Sequence, residues 1–227
     1  MTGAGRHALV TGASSGIGAA VVERLLREGW RVTGIARRPV AVDHAGFDAM
    51  TLDLADTARI GPAVADLVPD AVVHAAGLLR VGTLGALAAA DGEAMWRLHV
   101  AAAERLVDAL APRMPPGGRV VLLGSRTATG SAGRSQYAAS KAAVVALARS
   151  WAAELAPRGI TVNVVAPAAT DTPMLRDPAR RGLAPKVPPL GRLVRPDEVA
   201  GTVAFLLGPD AGAITGQSLT ICGGSSL

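Results

Sequence analysis

The only tyrosine of the chain stands four residues before one of its two lysines. Tyr137 and Lys141 occur in the segment Tyr-Ala-Ala-Ser-Lys, and Lys186 is the one other lysine among basic residues that are otherwise arginines. Residues i and i+4 lie on one face of a helix, with Cβ atoms about 5–6 Å apart. A phenol beside a fixed ammonium has a lowered pKa, which suits it to general acid or base work. The pair predicts proton-transfer chemistry, although the spacing alone also fits an unrelated pair on a helix surface.

A glycine-rich segment near the N-terminus predicts a phosphate-binding turn. Residues 11–18 read Thr-Gly-Ala-Ser-Ser-Gly-Ile-Gly and connect an apolar, strand-like run to an amphipathic helical pattern. Glycines permit the tight turn and let backbone N–H groups approach a pyrophosphate at a helix N-terminus. A purely structural glycine turn is the alternative. We expect dinucleotide contacts from consecutive residues of this segment: Gly12, Ser14, Ser15, Gly16, Ile17 and Gly18.

The end of the second predicted strand indicates which dinucleotide is bound. An acidic residue there would bind the ribose hydroxyls of NAD, but the segment reads Ala36-Arg37-Arg38. Arginines bind a phosphate through charge-assisted hydrogen bonds. The predicted cofactor is therefore NADPH or NADP+, with NAD the less favoured alternative, unless both arginines are simply solvated. Asp53, at the end of the third predicted strand, is expected to bind the adenine amino group.

Strand-like and helical patterns alternate along the whole chain. Strands are predicted at 7–11, 31–36, 49–52, 71–74, 119–123, 160–165 and 217–221. Helices are predicted at 18–27, 56–67 with Asp56 as its cap, 93–110, 135–155 and 197–207. This order predicts an α/β protein: a single-domain Rossmann fold over residues 1–227, with a doubly wound parallel sheet of about seven strands.

Composition excludes several classes of protein. Hydrophobic residues make up 50% and aromatic residues 3%, which predicts a closely packed aliphatic core. No apolar run reaches the ~18 residues of a membrane span, and the strand-like start favours no signal peptide. A single cysteine excludes an intrachain disulfide and favours a reducing, cytoplasmic location. The net charge of +5 is dispersed and aromatic residues are scarce, which argues against nucleic-acid binding. No metal site is predicted.

Taken together, the motifs resemble those of the short-chain dehydrogenase/reductase family, and the resemblance covers nearly the whole chain. The matching segments, in the family's order, are residues 11–18, 53–54, 75–77, Ser125, Tyr137 with Lys141, 163–167, 189–192, 195–199, 215–217 and 223–224.

The resemblance implies a role for each matching residue. Tyr137 would give a proton to a carbonyl oxygen, Lys141 would hold the nicotinamide ribose and lower the phenol pKa, and Ser125 would stabilise the developing alkoxide. Thr127 and Ser131 are nearby alternatives to Ser125. Further cofactor contacts are implied for Leu54, Ala75, Ala76, Gly77, Pro167, Thr170 and Thr172, besides Tyr137 and Lys141.

Two histidines depart from the family pattern. The family usually has an asparagine on the long helix before the fifth strand, where it holds a water for proton relay, but this chain has His99 and only one asparagine, Asn163. Either His99 takes over the relay, since an imidazole pKa lies near neutrality, or it is a hydrogen-bonded core residue. His74 also stands where the family often has asparagine, and could simply bond to a neighbouring strand.

The sequence limits the substrate less sharply. A short lid is predicted at 173–189, with the basic residues Arg176, Arg180, Arg181 and Lys186. Such a lid suits a carboxylate, a coenzyme A thioester or a carrier-bound substrate, whereas solvated charges are the alternative. Residues 75–82, 169–172 and 223–227 locally resemble dihydrodihydroxybenzoate dehydrogenases, which oxidise a cyclic alcohol bearing a carboxylate.

We therefore expect an NADPH-dependent reductase of a ketone carbonyl on a small or carrier-bound substrate, in secondary metabolism. A dehydrogenase of a cyclic hydroxy acid or dihydrodiol is the second interpretation. A dinucleotide-binding sensor or scaffold is a third, of another class. The resemblance also implies a homotetramer, or a homodimer.

Overall fold

The computed structural model describes residues 5–178 and 186–227. In this part of the chain seven parallel strands form one sheet, in the order β3-β2-β1-β4-β5-β6-β7. The strands are β1 (His7–Thr11), β2 (Arg31–Ala36), β3 (Phe47–Thr51), β4 (Ala71–His74), β5 (Arg119–Leu123), β6 (Thr161–Pro167) and β7 (Ser218–Ile221). The predicted doubly wound α/β fold is confirmed.

The direction of winding reverses between β1 and β4, which are neighbours in the sheet. The chain moves outward from β1 through β2 to β3, and then returns to β4 and continues to the opposite edge. In open parallel sheets the loops after the strands separate at such a point and leave a crevice. The sheet therefore places its crevice beyond the carboxyl ends of β1 and β4.

Helices cover both faces of the sheet. They are α1 (Gly16–Arg27), α2 (Ile60–Ala63), α3 (Ala89–Trp96), α4 (Ala102–Leu110), α5 (Ser135–Leu155) and α6 (Pro196–Leu207). One core contains α1 and α6, and the other contains α2, α4 and α5. Successive strand residues alternate between the two cores, as Val121 and Leu122 do, because side chains along a strand point to opposite faces.

The helix predicted at 56–67 is much shorter in the structure. It consists of a 3₁₀ turn, Thr57–Arg59, followed by the single turn of α2. Gly61 and Pro62 fall inside this segment, and both residues are poor helix formers. Asp56 precedes the turn, but in the described chain its side chain makes no capping hydrogen bond. Asp56 therefore takes the predicted N-cap position without making the capping bond.

The helix predicted at 93–110 starts earlier and is interrupted. α3 begins at Ala89, and a π-helical turn, Arg97–Ala101, separates it from α4. A π turn inserts one extra residue into the helical spacing, and such turns are frequent at functional sites. His99 lies at its centre and is fully buried.

The remaining differences are small shifts of element ends. α1 begins two residues before the prediction, at Gly16, and β3 spans Phe47–Thr51 rather than 49–52. β6 continues to Pro167. Within the described residues, no helix combines the length and apolar character that a membrane crossing requires.

Candidate active site

A cavity of about 650 Å³ opens beyond the carboxyl ends of the central strands. It contains the predicted catalytic side chains Ser125, Tyr137, Lys141 and His99. It also contains every predicted cofactor residue except Arg38: Gly12, Ser14, Ser15, Gly16, Ile17, Gly18, Arg37, Asp53, Leu54, Ala75, Ala76, Gly77, Pro167, Thr170 and Thr172. Arg38 is exposed and lies outside the lining, so only one of the two predicted arginines faces the cavity.

The turn between β1 and α1 is built so that only glycine fits at its closest approaches. Gly12 and Gly16 have positive φ angles of 70° and 58°, a region that side chains disfavour. A Cβ atom on Gly18 would lie 2.2 Å from the carbonyl oxygen of Gly12. The first turn of α1 holds no acidic residue, so its free N–H groups suit an anion such as a pyrophosphate. The residues present therefore fit a dinucleotide.

His74 connects this turn to the π turn through a buried hydrogen-bond chain. Its Nε2 lies 3.0 Å from the carbonyl oxygen of Leu98, which can only accept, so Nε2 carries the proton. Its Nδ1 then accepts from the hydroxyl of Thr11 at 3.1 Å, and that hydroxyl oxygen accepts the N–H groups of Ala75 and Ala76. Burial, together with nearby Lys141, lowers the pKa of His74 to about 4. The ring is therefore neutral and bonds to the neighbouring strand β1, as one of the sequence interpretations expected.

Tyr137 and Lys141 lie one turn apart on α5 and both face the cavity. The Lys141 Nζ is 5.9 Å from the centroid of the Tyr137 ring and donates a 2.7 Å hydrogen bond to the carbonyl oxygen of Leu123. Burial lowers the pKa of Lys141 to about 7. A bound anion would favour its charged form and raise that pKa again, so the ammonium expected from the sequence depends on what occupies the cavity.

Ser125 follows β5 and is held by its neighbour Thr127. The two hydroxyl oxygens are 2.9 Å apart, and the backbone N–H of Thr127 donates to the Ser125 Oγ at 3.2 Å. Both side chains are buried and line the cavity. Ser131 does not line it. Of the three hydroxyl residues considered in the sequence, the structure therefore brings Ser125 and Thr127 into the site.

Both ring nitrogens of His99 are engaged. Its Nε2 accepts the N–H of Leu78 at 3.1 Å, so the proton resides on Nδ1, which donates to the Ser140 Oγ at 2.9 Å. Ser140 in turn donates to the backbone carbonyl of Tyr137 at 2.8 Å. The His99 and Tyr137 rings also lie nearly perpendicular in a T-shaped contact, with centroids 5.6 Å apart. Burial, with Lys141 nearby, holds the pKa of His99 well below its usual range. The contacts favour a neutral, hydrogen-bonded histidine over a proton shuttle.

The sequence analysis missed three arginines in the cavity wall. Arg97 lies two residues before His99, Arg126 directly follows Ser125, and Arg134 precedes Tyr137 by three residues; all three line the cavity. Each lies within three residues of a predicted catalytic residue, and this closeness in sequence is the signal that could have identified them.

The predicted lid is only partly visible in the described residues. Arg176 lies outside the cavity lining and pairs with Asp171 at 2.8 Å. Lys186 does line the cavity. The predictions for Arg180 and Arg181 fall outside the described residues.

Comparison with known proteins agrees with this geometry. Residues 12–226 match the family model described as enoyl-(acyl carrier protein) reductase. The chain is 36% identical over 237 residues to a 3-oxoacyl-[acyl-carrier-protein] reductase of Salmonella typhimurium, covering 97% of each protein. It is 35% identical over 243 residues to the 2,3-dihydro-2,3-dihydroxybenzoate dehydrogenase of Escherichia coli, covering 98% of each.

A solved structure shares both fold and sequence. A blue fluorescent protein from a metagenomic library, in complex with NADPH, superimposes with a TM-score of 0.86 at 34% identity, covering 98% of each chain. The sheet order, the glycine turn and these matches point to one family. The chain belongs to the short-chain dehydrogenase/reductase family, and is an oxidoreductase that acts on CH–OH or C=O groups.

Proposed function

We propose that this protein is an NADPH-dependent reductase of ketone carbonyls, with Tyr137 as the general acid. The observation that carries the proposal is that Ser125, Tyr137 and Lys141 line the same cavity as the glycine turn. The names of two matched proteins support it: one is a 3-oxoacyl-[acyl-carrier-protein] reductase and another is in complex with NADPH.

The residues that would hold the cofactor line the cavity beyond the carboxyl ends of the strands, from β3 on one side to β6 on the other. The N–H groups at the start of α1 would bind the pyrophosphate, Arg37 the 2′-phosphate and Asp53 the adenine. Lys141 would hold the nicotinamide ribose, and Thr170 and Thr172 would anchor the nicotinamide carboxamide and phosphates. When bound, NADPH supplies the hydride.

The protein's own groups would stabilise the charge that develops on the carbonyl oxygen. The Ser125 Oγ accepts the N–H of Thr127, and with the Thr127 hydroxyl also donating to it across their 2.9 Å contact, the hydrogen of Ser125 is available to donate to the substrate oxygen. Tyr137 would then transfer its phenolic proton to the same oxygen. Lys141, one helical turn away, would stabilise the phenolate that remains.

Replacing Tyr137 by phenylalanine tests the proposal. NADPH oxidation should be followed over a panel of ketones, quinones and β-ketoacyl thioesters. We expect kcat of Tyr137→Phe to fall by about 100-fold or more, because positioned general acids contribute roughly 10²–10⁴-fold. NADPH binding, measured by its fluorescence, should persist. Undiminished turnover by the variant would contradict the proposal.

Cofactor preference is tested separately. Since Arg37 faces the cavity, Arg37→Gln should raise the KM for NADPH by about tenfold while changing that for NADH little. Arg38→Gln should shift the preference less, because Arg38 lies outside the lining. Equal KM values for the two cofactors in the parent enzyme would refute the assignment of NADPH.

A second candidate is the reverse reaction on a cyclic hydroxy acid or dihydrodiol, which is favoured by the 35% identity to a dihydrodihydroxybenzoate dehydrogenase. Faster NADP+ reduction with such alcohols than NADPH oxidation with ketones would favour it. NADPH binding without turnover of any substrate would instead favour a sensor or scaffold.

We also propose that the chain assembles as a homotetramer or homodimer. Two large apolar side chains on the helices are well exposed, Trp96 at 51% and Phe205 at 45%. A subunit contact over either side chain would remove apolar surface from water. Light scattering coupled to size-exclusion chromatography tests this, and a monomer at micromolar concentration would overturn it.

A further inference from the structure

The cavity carries a strong excess of positive charge. Among the described residues, six cationic side chains line it: Arg37, Arg97, Arg126, Arg134, Lys141 and Lys186. Only two carboxylates from the same part of the chain do so, those of Asp53 and Glu93. The cofactor roles proposed above use Arg37 and Lys141, which leaves the arginines beside Ser125 and Tyr137 without an assigned ligand.

Arg126 and Arg134 are anchored close to the proposed reacting groups. Arg126 begins the 3₁₀ turn Arg126–Thr129, whose cap is Ser125. Arg134 is the residue before α5, and its backbone forms a parallel bridge with Gly82, which also donates to the carbonyl of Gly133 at 3.0 Å. The backbone of each arginine is therefore fixed by contacts with neighbouring elements.

These two guanidinium groups lack partners in the described part of the chain. The Nε atom of each is buried and makes no hydrogen bond, and neither side chain lies within ion-pair distance of a described carboxylate. Other arginines are paired, for example Arg192 with Glu198 at 2.7 Å. A partly buried cation without a counter-ion is costly, and an anionic ligand would offset that cost.

We propose that Arg126 and Arg134 form an anion subsite that binds a carboxylate of the substrate, a few bonds from the carbonyl that is reduced. The inference rests on the proposed function, because that function identifies Ser125 and Tyr137 as the reacting end. Arginine's planar fork matches a carboxylate well. The phosphate of a carrier arm lies the whole length of that arm from the thioester carbonyl, whereas Arg126 adjoins Ser125. The favoured substrate is therefore a small oxo acid.

The first test measures binding and requires no turnover. Cyclohexanecarboxylate and cyclohexanecarboxamide have similar shapes and differ in charge. Titration calorimetry with the NADP+-loaded protein should show that the carboxylate binds at least about tenfold more tightly than the amide. Equal affinity for the two probes in the parent protein would overturn the subsite.

The second test assigns the residues. Arg126→Gln and Arg134→Gln should each weaken carboxylate binding by about tenfold, and the double variant should abolish the preference over the amide. Arg126→Lys should retain part of it, since the charge remains. Arg59→Gln is the matched control, because Arg59 is exposed and lies outside the cavity lining. A preference that survives in the double variant, with NADPH binding intact, would show that other residues bind the anion.

The third test uses turnover and separates this inference from the proposed function. 3-Oxocyclohexanecarboxylate should be reduced with a kcat/KM at least about tenfold above that of its amide. Reduction of both ketones at equal rates would overturn the subsite and leave the proposed function standing. If no ketone is reduced while the carboxylate still binds preferentially, the proposed function fails and the subsite remains.

A comparison of two thioesters tests whether the arginines bind a phosphate of coenzyme A or of a carrier arm rather than a substrate carboxylate. If the variants lose activity toward 3-oxobutanoyl-coenzyme A but not toward the uncharged 3-oxobutanoyl-N-acetylcysteamine, and show no change with the carboxylate probes, then the arginines bind a carrier phosphate. That result would overturn the carboxylate assignment.

Discussion

Three side chains position the proposed reacting residues through hydrogen bonds, although they do not themselves react with the substrate. Thr127 bonds to Ser125, Ser140 bonds to the backbone carbonyl of Tyr137, and His99 bonds to Ser140. All three are buried, so their hydrogen bonds do not compete with water. Substitutions at these positions should change the rate of the reaction more than substrate affinity.

Thr127→Val tests the hydroxyl contact with Ser125. Valine keeps the shape and the backbone N–H bond but removes the 2.9 Å contact between the hydroxyls. We expect kcat to fall by about three- to tenfold with little change in KM, since one neutral hydrogen bond contributes roughly 1 kcal/mol. Ser125→Ala should cost about 10²–10³-fold in kcat, as removal of an oxyanion donor does. Equal losses in both variants would show that Thr127 does more than position Ser125.

His99→Asn and His99→Ala separate positioning from proton transfer. Because burial, with Lys141 nearby, holds the pKa of His99 well below its usual range, the ring should be neutral at neutral pH. We expect both variants to lose about three- to tenfold in kcat while the shape of the pH profile is unchanged. Ser140→Ala should show a similar loss of kcat, because it removes the hydroxyl that links His99 to the backbone carbonyl of Tyr137.

Two outcomes would contradict this view of His99. Loss of an ionisation near neutral pH from the kcat profile would indicate a proton shuttle. Turnover equal to that of the parent at every pH in both variants would show that the ring has no role in the reaction, neither in positioning nor in relay.

At the scale of elements, the site depends on three connections: the turn from β1 to α1, the π turn, and the segment from β5 to α5. The π turn carries Leu98 and His99, which bond to opposite parts of the site: His74 on one side and Ser140 on the other. The turn after β1 depends on the close approach of the Gly18 and Gly12 backbones, and adding one methyl group at Gly18 tests that dependence.

Gly18→Ala should disrupt the cofactor turn. Its Cβ would lie 2.2 Å from the carbonyl oxygen of Gly12, so the turn and α1 must move apart. We expect the Kd for NADPH to rise by about tenfold or more and Tm to fall by several degrees, since overpacking costs roughly 1–3 kcal/mol. Gly61→Ala on α2 is the control, because a Cβ there meets no described atom within 4 Å. Unchanged NADPH affinity in Gly18→Ala would contradict the role of this contact.

At the scale of the whole molecule, two apolar cores enclose the sheet, and buried basic groups lie close together at its carboxyl end. His74, His99 and Lys141 are all buried, and burial lowers the pKa of each. The two histidines therefore make the folded protein bind fewer protons than the unfolded chain below about pH 6.5, and Lys141 does the same between about pH 7 and 10.5. This difference makes global stability depend on pH.

The free energy of unfolding should decrease as the pH falls from about 6.5 to 4. The pKa of His74 is about 4 in the folded state, against 6.5 for a free histidine side chain, so the unfolded state takes up a proton that the folded state excludes. The contribution of this group reaches about 3 kcal/mol at the acid end, and His99 acts in the same direction. Urea unfolding at several pH values measures it.

His74→Asn should flatten this pH dependence, because asparagine does not titrate. His44→Asn is the control, since His44 is exposed on the surface. If His74→Asn shows the same pH slope as the parent protein, the neutral buried state of His74 is wrong.

Local signals in the sequence were sufficient for the fold and for much of the site. β1, β2, β4, β5 and α5 have the predicted bounds, because near-continuous apolar runs and helical periodicity are properties of short segments. The glycine turn and the Tyr137–Lys141 spacing are local as well, so their presence on one cavity follows once the parallel sheet is inferred. The helix at 56–67 was predicted too long because its apolar pattern outweighed the low helix propensity of Gly61 and Pro62.

The contacts between distant segments required the folded molecule. His99 meets Leu78 across 21 residues and Ser140 across 41, and no pattern within one segment specifies either bond. The same is true of which arginine faces inward: Arg37 lines the cavity and its neighbour Arg38 does not, while Arg126 and Arg134 enter it from two different elements. The direction of a side chain is set by the twist and packing of elements that are far apart in the chain. Residue types and spacing therefore predict the chemistry, whereas the arrangement of partners around it emerges only on folding.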